Sequence, residues 1–236
     1  MEATLFLIPV PLGEMELSKA LPDYNRKAIG SLKYFIVEEL RSARRFLKKV
    51  NPSVAIDELV FTELNEHTPP EKVAAMLSPI AAGESIGLMS EAGCPAVADP
   101  GADVVAIAQR KGYRVTPLTG PSSILLALMA SGLNGQRFAF HGYLPIDSSQ
   151  RIARIKALEA RMITEDETQI FMETPYRNNR LMAELIRTCK SATRLCIASD
   201  VACDSESIRT RPVKEWKEKL PDLHKRPAIF LIGKNV

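Results

Sequence analysis

The chain has little of what marks metal or disulfide chemistry. Its three histidines, His67, His141 and His224, are scattered and form no H-E-x-x-H or comparable ligand spacing. The four cysteines, Cys94, Cys189, Cys196 and Cys203, include no C-x-x-C pair. The even seven-residue spacing of the last three fits neither a zinc finger nor a disulfide framework, so all four read as reduced thiols. G-x-G-x-x-G after a strand, a P-loop and a G-x-S-x-G elbow are also missing. What remains is metal-independent group transfer. No stretch approaches the ~20 apolar residues that span a bilayer, and the run near SSILLALMASGL is broken by serines and a glycine. The N-terminus has no basic segment, and its short apolar run is interrupted by Pro9 and Pro11, so no signal peptide is read and a cytoplasmic location is expected.

What is present describes an ordinary globular chain. Hydrophobic residues are 46% and charged residues 25% of 236, enough for one large domain or two small ones. The net charge of +3 permits contact with an anionic polymer without demanding it. TLFLIPV (4–10) and KYFIVEEL (33–40) read as strands, RSARRFLKKV (41–50) as a helix and PPEKVAAMLSPIAAG (69–83) as one helix begun by proline. Strand ESIGLM, helix ADVVAIAQRKG, strand YRVTPL and helix SSILLALMASG follow in the βα rhythm of a parallel sheet. GLNGQ (132–136) is the candidate junction, giving an N-terminal α/β domain at 1–133 and a C-terminal mixed α/β domain at 134–236. The second half carries strands RFAFHGYL, TQIFME, RLCIAS, SESIRTRPV and AIFLIG, with helices through SQRIARIKALEARM, NNRLMAELIRTC and WKEKL.

Two loops carry the most chemistry. SEAGCPAVADPG (90–101) follows IGLM, and PLTGPSSILLALMASGL (117–133) continues YRVTPL; each opens a helix just after a strand. Backbone N–H groups then converge where an open α/β sheet places its ligand. Gly93, Pro95, Pro100 and Gly101 permit sharp turns and close backbone approach. Ordinary βα turns carry the same residue types, so the pattern alone selects no ligand.

The first loop resembles the SDAG-T-P-x-I-x-DPG signature of the ribosomal small-subunit methyltransferase I family, and PLTGPSS resembles its PLPGPS-A segment. FAFHGYLP (138–145) is similar to its F-x-F-x-G-F-L-P, and FMETPYR (171–177) to its F-Y-E-S-x-H-R. The matches keep the family's order and cover most of the chain. The wider group is the tetrapyrrole methylase superfamily, so the resemblance implies the two-domain class III architecture, with S-adenosylmethionine as cofactor held in a cleft between the domains. It also implies a homodimer.

Carried over by resemblance, Glu91, Gly93 and Cys94 belong to the first cofactor loop, Ser122, Ser123 and Ile124 to the second, and Met172 with Glu173 to a third. A plainer reading stands beside each: Gly93 as a turn residue, Ser122 or Ser123 as a helix cap, Met172 as packing. VEELR, Val37 to Arg41, resembles the family's A-E-D-T-R, keeping Glu38 and Arg41 and replacing Asp with Glu39; these three are the candidate catalytic residues. NEHT (65–68) is similar to H-E-H-N, keeping Glu66 and His67, and PVPLGEM (9–15) to P-T-P-I-G-N-L, with Glu14 in place of asparagine. The departures fall on the substrate side.

Arg41, Arg44, Arg45 and Lys48 recur at near-helical spacing beside the stripe Leu40, Ala43, Leu47 and Val50, so one helix packs and still presents cations. Arg151, Arg154 and Lys156 form a second basic group. Either is a phosphate footprint or a solvated face. The expected function is 2′-O-methylation of a cytidine in small-subunit rRNA, with the rRNA or ribosomal subunit as partner. Methylation of a tetrapyrrole or another small molecule, and a non-catalytic RNA-binding relative, are the alternatives.

Overall fold

The computed structural model describes residues 2–65, 68–218 and 220–234. The chain divides into two compact units, Met1–Ser122 and Ser123–Val236. The division precedes the SSILLALMASG helix, whereas the sequence places a junction after it. That helix packs on three strands of the second unit, and its contacts decide where it belongs.

The first unit comprises β1 (Thr4–Leu7), α1 (Leu17–Ala20), α2 (Asp23–Gly30), β2 (Tyr34–Val37), α3 (Leu40–Val50), β3 (Val60–Glu63), α4 (Pro70–Ala75), α5 (Ser78–Ala81), β4 (Ile86–Met89), α6 (Gly101–Arg110) and β5 (Arg114–Pro117). The strands lie in the order β3-β2-β4-β1-β5, and every pair is parallel. Helical crossovers are what parallel neighbours require, and they cover both faces. Ile8, Phe35 and Val37 pack with Ile29, Phe46 and Leu47 on one side. Leu5, Ile36 and Leu88 pack with Val73, Leu77 and Val104 on the other. A strand covered twice has no polar face, and β4, IGLM, is buried at every position.

Two boundaries differ from expectation for physical reasons. The segment 69–83 forms two helices because Pro79 lacks an N–H and its ring would strike the preceding turn, so α4 stops before it. Strand β2 ends at Val37 rather than running to residue 40, because Glu39 leaves the strand to cap α3. The expected WKEKL helix lies earlier, as α10 (Val213–Trp216), where Trp216 Nε1 donates to the Leu195 carbonyl at 3.0 Å.

The second unit comprises α7 (Ser123–Ser131), β6 (Phe138–Tyr143), α8 (Ser148–Glu165), β7 (Thr168–Met172), α9 (Asn178–Thr188), β8 (Arg194–Ser199), β9 (Ser207–Pro212), α10 and β10 (Ala228–Gly233). Its sheet runs β6-β7-β10-β8-β9; β6 and β7 are parallel and the other pairs antiparallel. Ile155, Leu158, Leu181 and Leu185 from the helices pack on Phe171, Leu195 and Phe230 of the strands. Among the described residues no helix is long and apolar enough to cross a membrane.

The second basic group does not form a cationic face. Arg151 is 2% exposed; it pairs with the Glu184 carboxylate through Nε and, at 2.8 Å, through Nη2. Its Nη1 donates to the Pro145 and Ile146 carbonyls at 2.9 and 2.7 Å. Nε, Nη1 and Nη2 all donate inward, so this buried guanidinium presents no face to a phosphate. Only Arg154 and Lys156 stay exposed, and Arg154 Nη2 lies 3.3 Å from His141 Nδ1.

The hydrogen bonds from Arg151 hold the Glu184 carboxyl at about 2, below its ordinary value. A carboxyl depressed on folding stabilises fully above its unfolded value and loses that contribution as pH falls through the folded one. Stability is therefore expected to decline from about pH 4.5 toward 2 in wild type. Glu184→Ala strands a buried guanidinium, and urea unfolding at neutral pH is expected to show a loss of about 3–5 kcal/mol. A loss below about 1 kcal/mol, the range of an exposed pair, would contradict this role.

Candidate functional site

Because the first sheet is all parallel, its five strands deliver their carboxyl ends to one edge. The loops carrying PVPLGEM, VEELR, NEHT, SEAGCPAVADPG and PLTGPSS all leave from that edge. Glu66 and His67 of NEHT lie outside the described residues. From β2 the chain moves outward to β3, and from its neighbour β4 it crosses the opposite way to β5. Neighbouring strands whose connections diverge open a crevice at their carboxyl ends, where open α/β sheets take their ligands. VEELR and SEAGCP flank that crevice.

Backbone contacts fasten the loops to one another. Val10 and Gly93 exchange two hydrogen bonds of 2.9 Å in an isolated antiparallel bridge, tying the loop after β1 to that after β4. Gly93 has φ 74°, and a Cβ there would lie 3.3 Å from Leu12 Cδ2. The Cys94 thiol donates to the Pro121 carbonyl at 3.4 Å, reaching the loop after β5, and burial pushes that thiol up. Asn25 of α2 donates to the Thr119 carbonyl at 2.7 Å. Gly120 lies against Pro9 so closely that a Cβ would fall 2.2 Å from the ring. Ser122, half-buried, closes this loop.

The VEELR carboxylates have different tasks. Glu39 caps α3: its side chain accepts from the Arg41 and Ser42 amides at 2.8 and 2.6 Å, and the Ser42 hydroxyl lies 2.6 Å away. Those bonds hold its carboxyl below the ordinary range. Glu38 is half-buried and faces the neighbouring loop, where Oε2 accepts from the Glu91 amide at 3.2 Å. Burial raises its carboxyl despite that bond, and the negative charges of Glu91 and Asp99 add to the rise. The exposed Glu91 carboxylate lies 3.4 Å from the Ser42 hydroxyl. Arg41 is exposed in the first turn of α3.

The first unit therefore brings together Glu38, Glu39, Arg41, Glu91, Gly93, Cys94 and Ser122. Ser123 and Ile124 open α7 in the second unit, both half-buried. Met172 ends β7, half-buried, and Glu173 beyond it is buried, accepting from Arg177 Nη2 at 2.6 Å and the Thr174 amide at 2.7 Å. Sequence reasoning gives no role to Ser42, Asp99 or Arg177; the Asp-Pro-Gly turn is the one local signal that pointed at Asp99. Among the described residues no group of three or more His, Cys, Asp or Glu side chains is placed to hold a metal.

The fold is that of the two-sheet methyltransferases of class III. Diphthine synthase superposes with a TM-score of 0.68 at 17% identity, over 98% of this chain and 90% of its own. Uroporphyrin-III-C-methyltransferase from Thermus thermophilus superposes at 0.57 and 19%, over 99% and 93%. Residues 20–217 match the Tetrapyrrole (Corrin/Porphyrin) Methylases, and the chain belongs to that family. It is a methyltransferase dependent on S-adenosylmethionine. It is 33% identical over 232 residues to the ribosomal RNA small subunit methyltransferase I of Streptococcus pyogenes serotype M3, covering 97% of this chain and 75% of that protein. The Pseudomonas aeruginosa protein of the same name is 29% identical over 215 residues, covering 90% and 71%.

The turns after β1, β4 and β5 fit the cofactor: backbone approaches backbone at Gly93, Gly120 packs on the Pro9 ring, and the nearby side-chain charges, Glu38 and Glu91, suit a sulfonium cation. Gly120→Ala drives a methyl into the Pro9 ring, which cannot turn aside. Thermal and urea unfolding are expected to show a loss of about 1–3 kcal/mol. Unchanged stability would show that the two loops are not in contact.

Proposed function

We propose that the protein 2′-O-methylates a cytidine of small-subunit ribosomal RNA. The observation that carries this reading is Glu38, a half-buried carboxyl raised by its surroundings, at the crevice flanked by the β2 and β4 loops. S-adenosylmethionine, when bound, supplies a methyl group already activated by its sulfonium. The protein has to align the acceptor oxygen, exclude water and take a proton. Glu38 accepts the hydroxyl proton as the carbon–oxygen bond forms and the carbon–sulfur bond breaks. A carboxyl raised toward neutrality does this better than an ordinary one. Glu39 is engaged at the helix cap, so its part is to place Glu38 and Arg41 rather than to take the proton. In this reading the cofactor lies against Glu91, Gly93, Cys94 and Ser122; Ser123, Ile124, Met172 and Glu173 are assigned to it by family pattern.

Support for RNA comes from the relatives named as ribosomal RNA methyltransferases and from α3, which buries Ala43, Phe46, Leu47 and Val50 and exposes Arg41, Arg44, Arg45, Lys48 and Lys49. Lys48 Nζ donates to the Val54 carbonyl at 2.7 Å, and the Arg44 guanidinium lies 5.6 Å from the Phe61 ring centre, so Arg41, Arg45 and Lys49 are the better phosphate contacts. A cytoplasmic homodimer belongs to the same reading, by family resemblance.

Incubation with labelled S-adenosylmethionine and ribosomal subunits from cells lacking the protein, followed by nucleoside mass spectrometry, is expected to yield 2′-O-methylcytidine. Glu38→Gln should lower kcat by about 10²–10⁴ at nearly unchanged cofactor affinity. Glu39→Ser, which restores a good cap, should keep most activity. Wild-type activity on a tetrapyrrole alone would replace the rRNA reading, and RNA binding without transfer would make the protein a binding relative.

A further inference from the structure

The Asp-Pro-Gly turn before α6 holds a carboxylate that the reaction above leaves without a task. Asp99 Oδ1 accepts from the Ala96 and Gly101 amides at 3.0 and 2.7 Å. These bonds brace a turn containing two left-handed alanines, Ala96 at φ 67° and Ala98 at φ 60°, a conformation L-residues seldom adopt. One oxygen thus accepts from both amides. The other, Oδ2, is buried with no hydrogen-bond partner. A bare buried carboxylate oxygen is uncommon because it forfeits its hydration.

Its surroundings supply the explanation. Asp99 lines a small cavity of about 10 Å³ with Glu38, Ser90, Val37, Leu64 and Leu88. That is room for about one water molecule, and two carboxyls and a hydroxyl give it partners. The charges acting on Glu38 are Glu91 and Asp99, both acidic. The remaining carboxylates at this edge are turned elsewhere: Glu39 caps α3, and Glu63 Oε1 lies 3.4 Å from the Leu40 amide. Burial raises Asp99 against the pull of the Gly101, Ala96 and Val97 amides. Two carboxyls facing one small, poorly solvated space do not ionise independently; the charge of the first opposes loss of the second proton.

We infer that Asp99 is a positioning residue for methyl transfer: it and Glu38 hold one proton in common across this cavity through one bridging water, and Asp99 thereby sets the pH at which Glu38 can accept the acceptor's proton. The inference rests on the proposal that Glu38 is the base. The pair itself can be measured without substrate. The acid limb of the pH–kcat profile follows from it, with activity lost as pH falls and the pair takes up its second proton.

Asp99→Asn keeps an oxygen for the Ala96 and Gly101 amides and removes the titrating group. In protein labelled with ¹³C at glutamate and aspartate carboxyls, Glu38 in this variant is expected to titrate about one pH unit or more lower than in wild type. The acid limb of kcat should move down with it. Glu38→Gln leaves the turn untouched and supplies the reciprocal reading if the first variant misfolds: Asp99 should then titrate lower. Unmoved titrations in both variants overturn the pair, whatever the activity. Titrations that move while the acid limb stays in place remove Glu38 as the base, and overturn both Asp99's part in catalysis and the proton-acceptor step of the proposed reaction.

Discussion

The two backbone hydrogen bonds between Val10 and Gly93 are the constraint on which the rest of the first unit's edge depends. Loops leaving a parallel sheet ordinarily diverge toward the helices they feed. Here the loops after β1 and β4 are bridged backbone to backbone, and the loop after β5 is drawn in through Cys94 and through Gly120 against Pro9. At Gly120 a Cβ would fall 2.2 Å from the Pro9 ring, so only glycine fits, and at Gly93 the positive φ favours glycine. The result is an edge at which the main chain of three loops converges.

Against this frame the carboxylates separate by what they are bonded to. Glu39 and Glu184 are spent on structure: a helix cap and a buried guanidinium. Glu38 keeps a single amide donor, the Glu91 N–H, and is left raised by burial and by its acidic neighbours. The arginines divide in the same way. Arg151 and Arg177 serve internal carboxylates, whereas Arg41 and Arg45 stand exposed on α3. Position in the hydrogen-bond network, rather than residue type, distinguishes the groups free for chemistry.

How much of this the sequence discloses follows from how local each cause is. The βα order of the first unit and the apolar strands β4 and β10 are readable because their signals lie within a few residues: turn formers, helix periodicity, unbroken apolar runs. Strand β3, VFTE, escapes because it is a short edge strand with neither alternation nor full burial. Helices α1 and α2 escape because Leu21 and Pro22 interrupt the pattern after four residues. The Glu39 cap is hidden because caps are usually Ser, Thr, Asp or Asn. The burial of Arg151 depends on Glu184 of α9, and the Glu38–Asp99 cavity on the ends of two strands far apart in sequence. Such pairings exist only after folding, so the VEELR motif marks the right segment without ranking its carboxylates.

The central claim is that this main-chain-lined edge holds the methyl donor without a metal. Calorimetric titration of the purified protein with S-adenosylhomocysteine, in the presence of a chelator, tests it most directly. The account predicts saturable one-site binding that is retained in Glu38→Gln and weakened when Gly93, whose positive φ and bridge to Val10 shape the edge, is replaced by a larger residue in a variant that still folds. Absence of binding by the folded wild-type protein, or binding indifferent to Gly93, would contradict it.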